Sequence, residues 1–468
     1  MFRPVLLWTD ALLFLLIAGL AAFAWHVRRT PHLREPWGRV ARSRTGMCAA
    51  VVLAAYALVG VADSLHFRLP AAQGPDGRVH WSAEVLSVLD LALARLREGA
   101  EKTYSAPLAV RLHVRETVER PDGTRVRERP RLRYGGAHLA DPDRERWPDV
   151  ARRALAGAAA GLVLWAGAAA LLAAALARRW RLPWRAALAR LAAGRTELPW
   201  RPMLVTAAAL AVLAGAVAAL AGGYHVLGTD KVGEDVLYQA LKSVRTGLVI
   251  GTLTTLLMLP FALAMGLSAG YFGGRVDDLV QYLYTTLNSI PGVLLIAAGI
   301  LMLQVYMANH PELFETTAAR ADLRLLFLCA VLGVTSWTGL CRMLRGETLK
   351  LREVEYVQAA VALGTGHGAI LVRHVLPNVL HIVLISVVLD FSALVLAEAV
   401  LAYVGVGVDP TMTSWGNMIN SARLELAREP VVWWTLAAAF VFMLGLVLAA
   451  NLFADAVREA FDPRRRVR

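Results

Sequence analysis

Met203 to Gly222 runs for 20 residues without a charged side chain, and Leu155 to Ala177 runs for 23. At about 1.5 Å per residue each is long enough, as a helix, to cross a hydrocarbon layer of about 30 Å. No water inside that layer satisfies backbone N–H and C=O groups, so runs of this kind must be helical. Read the same way along its length, the chain has nine spans, near residues 5–25, 46–62, 155–177, 203–222, 246–268, 279–304, 325–341, 379–401 and 432–453. The fold class expected is an all-α integral membrane protein with about nine transmembrane helices, and a composition 57% hydrophobic agrees with it. The start Met-Phe-Arg and the small residues Ala22 and Ala24 resemble a signal peptide. Cleavage there would reverse the parity of every later span, so the first span is expected to be retained.

Orientation follows from arginine in the short loops, because cytoplasmic loops hold excess Lys and Arg. Residues 26–46 contain six Arg against Glu35, and residues 178–202 contain seven against Glu197. Both loops are expected in the cytoplasm. The N-terminus then lies outside, and the C-terminus, which ends Pro463-Arg464-Arg465-Arg466-Val467-Arg468, lies inside. The net charge of +13 sits mostly beside the spans, where anionic membrane lipid is its partner; no nucleic-acid motif accompanies it. Cys48, Cys329 and Cys341 fall in or beside spans and read as small core residues.

Residues 63–154 form the one long polar segment, and parity places it outside as a small extracytoplasmic domain. Val85, Leu86, Leu89, Leu93 and Leu96 have helical spacing within Ser82–Ala100. Leu108–Glu119 and Arg125–Tyr134 alternate around Pro121, Asp122 and Gly123, which predicts a hairpin. Two roles stand open for it: receiving a soluble partner outside, or packing against the rest of the chain.

The second polar interruption, residues 342–377, has its own design. Arg352–Leu363 reads as a short helix with Val354, Val357 and Val361 on one face. Gly364, Gly366 and Gly368 stop it, a second short helix starts at Ala369, and Pro377 opens the next span. Held between two spans, such a helix–turn–helix offers a docking surface to a soluble partner. Glu355, Tyr356, Gln358, Ala359 and Ala360, then Gly364, then Arg373, His374, Pro377 and Asn378 resemble the coupling loop of ABC-importer permeases, in particular the dipeptide/oligopeptide/nickel branch. That family usually has Glu at the place of Gln358, and the difference puts one charge contact to the ATPase in question.

The resemblance continues in order along residues 203–468. His225, Gly228, Thr229, Asp230, Gly233 and Asp235 are similar to the segment before the second permease helix, and Gly270, Gly273 and Asp277 to the next cytoplasmic turn. Gly405, Gly407 and Trp415 match the late extracytoplasmic loop, and Asn451, Arg458, Phe461, Asp462 and Pro463 the tail. The resemblance implies a six-helix permease core at 203–468. Before it stand two N-terminal helices (1–62), the extracytoplasmic domain (63–154), and a third helix with a basic linker (155–202). It also implies a bacterial inner membrane, a second permease subunit, two P-loop ATPase subunits docked at 350–377, and an extracytoplasmic substrate-binding protein. The function implied is import of di- and oligopeptides by alternating access, with nickel or another peptide-like solute as alternative cargo. A receptor or scaffold acting through residues 63–154 is the rival of a different class.

No G-x-x-x-x-G-K-[ST] loop is present, so ATP and Mg are expected on the partner ATPases and no cofactor on this chain. The seven-residue recurrence of His367, His374 and His381 crosses a glycine turn and a membrane boundary, which reads as interfacial histidine rather than metal. Asp390 and Glu398 lie inside a span, where an ionised carboxylate costs about 2.5 kcal/mol or more and needs a cavity or a partner. Ala397-Glu398-Ala399 before Tyr403 and Gly405 resembles a packed motif of that family, which implies a structural role for Glu398; for Asp390 pathway and structural roles are equally open. Pro260, Pro291 and the neighbouring Asn288 allow kinks suited to gating.

Overall fold

A computed structural model of the chain describes residues 2–73, 79–82, 84–119, 125–194, 196–310 and 316–461. Among them nine helices are long and apolar enough to cross a membrane. The protein is an all-α integral membrane protein with a small β-containing segment between its second and third spans. Strand β1 (Arg3–Val5) precedes α1 (Trp8–Arg29), α2 (Pro31–Arg42) and α3 (Arg44–Ser64). The segment after them holds β2 (His66–Arg68), β3 (Pro70–Gln73), β4 (Val79–Trp81), β5 (Leu86–Ser87), the short helices α4 (Val88–Ala92) and α5 (Ala94–Glu98), and β6 (Glu116–Glu119) with β7 (Arg125–Glu128). Then come α6 (Pro142–Trp180), α7 (Trp184–Ala192) and α8 (Trp200–Ala221). They are followed by α9 (Val236–Phe272), α10 (Gly274–Ser289), α11 (Gly292–Asn309), α12 (Thr317–Ser336) and α13 (Thr338–Arg352). The chain closes with α14 (Glu355–Ala362), α15 (His367–Ile370), α16 (Leu376–Tyr403), α17 (Trp415–Glu425) and α18 (Trp434–Phe461).

Several elements depart from the sequence expectation. The expected span 279–304 is broken. Pro291 pushes the residue before it out of the helical region, and Ile290 is extended (φ −91°, ψ 128°), so α10 ends and α11 begins anew. Of the two pieces only Gly292–Asn309 is apolar enough to span, and Pro291 caps a helix instead of kinking one. The interruption expected at 342–377 shrinks to about 353–366. On one side the spanning helix runs on through α13 to Arg352; on the other, His367–Tyr403 is continuous. Its π-helical turn at Leu371–Val375 takes up the helix register just before Pro377. Gly366 and Gly368 therefore stop nothing, and only Gly364 is left-handed (φ +75°). In 63–154 the expected helix at 82–100 is cut to α4 and α5, since Ser87 and Asp90 form a capping box at the first and Leu93 leaves helical geometry. The hairpin pairs as β6 with β7, Glu119 opposite Arg125; its turn at Pro121–Gly123 lies outside the described residues, as do Asp462 and Pro463.

The chain forms two compact units. One holds the first four residues with 38–246 and 413–453; the other holds 5–37, 247–412 and the chain from 454. In the first, α6 and α8 meet at backbone distance. A Cβ on Gly157 would lie 2.3 Å from the Gly215 carbonyl oxygen, and one on Gly161 2.1 Å from that of Ala211. Small residues permit such an approach, and in lipid that approach is what holds helices together. Tyr56 on α3 donates to the Phe442 carbonyl of α18 (2.8 Å). In the second unit the Asp322 carboxylate of α12 accepts from the backbone N–H (3.2 Å) and hydroxyl of Thr9, placing a negative charge on the positive end of α1. Two apolar clusters fill that unit, one around Leu325, Leu328 and Ile250, the other around Leu344, Val357 and Ile370.

Gly161→Leu should separate α6 from α8 and lower the melting temperature in detergent, at a cost of about 1–3 kcal/mol. Gly167→Leu, where a Cβ would meet nothing within 4 Å, should melt like the parent.

Candidate functional site

The 353–366 loop is short, and its backbone is closed by its own hydrogen bonds. Helix α14 ends in a Schellman motif: Thr365 N–H donates to the Ala360 carbonyl (3.0 Å) and Gly364 N–H to that of Val361 (2.9 Å). That geometry needs the left-handed conformation which glycine alone adopts without strain. Val357 and Ala360 turn inward, at 0% and 8% exposure, among Tyr271, Leu344 and Ile370. Ala360, expected at the docking surface, is therefore a core residue of the loop. Val354 and Val361, expected on the buried face with Val357, are exposed instead. One turn of helix explains the swap: the pair 357/360 faces the spans, which leaves 355, 358, 359 and 362 outside.

Glu355, Tyr356, Gln358, Ala359 and Leu363 face solvent, and Leu363 is 85% exposed. Gln358 Nε2 donates to Glu353 (3.4 Å), and Tyr356 Oη accepts from Asn378 (2.9 Å), one residue after Pro377. His367 Nδ1 lies 3.0 Å from the Tyr271 hydroxyl and His374 lies against the Tyr356 ring, while His381 Nδ1 meets the Asn378 carbonyl.

Behind the loop, α9 and α13 are in close contact. A Cβ on Gly270 would meet the Arg345 carbonyl at 2.7 Å and Thr348 Cβ at 2.6 Å, and Gly266 is equally confined against Cys341. Arg345 makes a two-pronged ion pair with Asp277 on α10 (2.5 and 2.6 Å), whose carboxyl is held below the usual range by that hydrogen bonding. Gly273 (φ +65°) makes the turn between α9 and α10. Asn288, at the end of α10, accepts from Thr338 (3.1 Å), so the helix break at 289–291 is tied to the start of α13. Glu398 is buried at 3% exposure on α16. Asp390 is half-buried on the same helix and makes no hydrogen bond or ion pair among the described residues. Gly405 (φ +85°) starts the loop after α16.

The 225–235 loop of the other unit is bound to residues 99–135. Gly228 and Gly233 have φ of +75° and +81°, and a Cβ on Gly233 would lie 1.8 Å from the Glu101 carbonyl oxygen. Thr229 donates to the Thr103 carbonyl (2.9 Å), and its own carbonyl accepts from Trp434 Nε1 (2.9 Å). Asp230 accepts from the amides of Val232 and Glu234 (2.9 Å each), and Asp235 caps α9 through Leu237 N–H (2.9 Å). Trp415, 1% exposed, donates to the Ala240 carbonyl of α9 (3.1 Å). Buried His225 bridges Asp235 (2.7 Å) and Glu101 (3.4 Å), and Glu101 also accepts from three backbone amides at 133–135. Burial alone would lower the His225 pKa; hydrogen bonds to the two carboxylates outweigh it and raise it to about 9. Burial would raise Glu101, but bonds from His225 and the amides bring it down to about 2.

Residues 262–467 match a family described as binding-protein-dependent transport system inner membrane component. The oligopeptide transport system permease protein OppC of Haemophilus influenzae is 30% identical over 244 residues, which are 52% of this chain and 72% of that protein. OppC of Mycobacterium tuberculosis H37Rv is 32% identical over 245 residues, 52% and 78% of the two chains. The dipeptide transport system permease protein DppC of Alkalihalophilus pseudofirmus is 30% identical over 240 residues, 51% and 72%. The chain belongs to this permease family.

Sequence reading of the permease missed Glu101, which stands in no periodic pattern and acquires its role only through the amides at 133–135 and through His225, more than a hundred positions away. It also missed Arg345, an arginine among several beside a span.

His225 contributes stability while it is protonated. That contribution is complete below about pH 6.5 and is lost as pH rises towards 9. Glu101 contributes while ionised, and its share is lost as pH falls from about 4.5 towards 2. The melting temperature of the purified permease should fall between pH 6.5 and 9, and Glu101→Gln should flatten that fall; an unchanged slope would show that the pair carries none of it.

Proposed function

We propose that this multi-pass inner-membrane permease forms half of the pathway of an ATP-driven peptide importer and receives the ATPase stroke through residues 353–366. The observation that carries the coupling role is the exposed face of α14 and its glycine turn: Glu355, Gln358, Ala359 and Leu363 look outward while Val357, Ala360 and Ile370 fix the loop to α9, α13 and α16. An apolar side chain as exposed as Leu363 at a loop tip suits insertion into a groove of a partner. Two P-loop ATPases, with their ATP and Mg, are the soluble partners this reading requires, together with a second permease and an extracytoplasmic binding protein. The peptide cargo is taken from the oligopeptide and dipeptide permeases it resembles.

The same reading puts the loop, the arginine-rich connections around α2 and α7, and the C-terminus in the cytoplasm, and the N-terminus and residues 63–154 outside. It keeps 203–468 as the permease core, with 1–62, 63–154 and 155–202 as an added N-terminal region. Gating is assigned to the break at Asn288–Pro291, where a helix without continuous hydrogen bonding can change its angle. Asp390 is assigned to the pathway, because an unpaired carboxylate in a membrane helix needs a polar surface to face. Glu398 is assigned to packing.

Tagged permease purified from its own host should bring down a P-loop ATPase and a second permease. Leu363→Glu should reduce ATPase recovery at least tenfold while leaving membrane insertion and melting temperature unchanged. Ala360→Asp should instead lower the melting temperature, since it puts a carboxylate into the loop core. Equal ATPase recovery with Leu363→Glu would remove the docking role from α14.

A further inference from the structure

The alternation Arg125, Arg127, Arg129, Arg131, Arg133 has a consequence in three dimensions. In β7 the intervening Val126 and Glu128 are half-buried, while Arg125, Arg127 and, beyond the strand, Arg129 are exposed. Cross-strand partners share a face of a sheet, so Thr117 opposite Arg127 and Glu119 opposite Arg125 join the arginines there. Exposed Arg115 extends the alternation of β6 on the same side. Successive arginines along a strand stand about 6.7 Å apart. Arg115, Arg125, Arg127 and Arg129 make no hydrogen bond or ion pair among the described residues. Those nearer the base are engaged: Arg111 pairs with Asp143 (2.9 Å) and Arg131 donates to three carbonyls at 136–139. Four unpaired guanidinium groups facing one acid is a face prepared for an anionic surface.

The hairpin base is also fixed to the permease. His113 packs edge-on against Trp434 (ring centroids 4.9 Å apart), and the indole of Trp434 bonds the Thr229 carbonyl. Tyr104 donates to Glu425 on α17 (3.4 Å), and Lys242 on α9 pairs with Asp90 (2.8 Å). A lipid headgroup has no use for a rigidly oriented platform; a docking protein does, because its orientation over the helices must be fixed.

We propose that this arginine face is the docking surface for an acidic patch on the soluble substrate-binding protein of the transporter. The inference rests on the importer reading and on residues 63–154 lying outside. Charges at such a face act chiefly on encounter and its salt dependence, and less on what happens after docking.

The test uses the complete importer in nanodiscs, with its own binding protein titrated and ATP hydrolysis measured. Failure of that protein to stimulate the parent complex would sink the importer reading, whatever the hairpin does. Given stimulation, Arg125→Gln/Arg127→Gln/Arg129→Gln should raise the half-saturating concentration roughly tenfold at low salt with the maximal rate unchanged. The gap should close as salt rises. The single Arg127→Glu should shift in the same direction, and Arg144→Gln, an exposed arginine off the hairpin, should not. An unchanged half-saturation, a fall in maximal rate without a shift, or loss of binding only to phosphatidylglycerol vesicles would each overturn the proposal.

Discussion

Backbone hydrogen bonding in a medium without water governs this structure. Each long helix satisfies its own N–H and C=O groups, and the chain can abandon that pattern at membrane depth only where something else covers the freed groups. The break at Ser289–Pro291, at the start of the spanning helix Gly292–Asn309, shows how such groups are recovered. Ile290 is extended, Pro291 brings no N–H, and Leu294 and Leu295 turn their N–H groups back onto the Pro291 carbonyl. Asn288 just before it is held by Thr338. The π turn at Leu371–Val375 is the milder form of the same adjustment; beside Pro377, which brings no N–H, the Asn378 side chain donates to the His374 carbonyl (2.6 Å).

Helices that already satisfy their own backbones gain little from one another by expelling water, so association relies on approach distance. Gly157, Gly161 and Gly215 bring α6 against α8, and Gly266 and Gly270 bring α9 against α13. Outside the apolar stretches the means of attachment changes. There Glu101, His225, Asp235, Asp90 and Lys242 join elements by charge-assisted hydrogen bonds, most of them buried. Glycine seams fix distance, and polar anchors fix orientation. Residues 99–135 are attached by the second means, which makes them part of the permease face formed by the 225–235 loop rather than a tethered module.

How much of this was legible in the sequence depended on how local the cause was. Hydropathy is a local property, so most spans could be read, and Gly364 could be read as a helix stop because a left-handed residue follows from a few neighbours. The break after α10 could not be separated from a kink: Pro291 in an apolar run allows both, and the choice depends on what faces residues 289–291. The inward turn of Ala360 was hidden for another reason. Val354, Val357 and Val361 make a good apolar face on a helix of the expected length, but α14 begins only at Glu355 and packs through 357 and 360 against α9 and α13. Glu101 was illegible because its carboxylate's partners come from two separate stretches of chain, 133–135 and His225.

Gln358 shows how the two levels combine. The family resemblance expects a carboxylate there, and its absence reads as a lost contact to the ATPase. In the folded loop Gln358 sits within hydrogen-bonding reach of Glu353, with Glu355 on the same short helix. A third carboxylate at 358 would face Glu353 at about the distance the amide now bridges, and like charges at such a separation repel where the amide attracts. The neutral side chain instead bridges to Glu353, which also pairs with Arg352 (3.1 Å), while Glu355 stays exposed on α14.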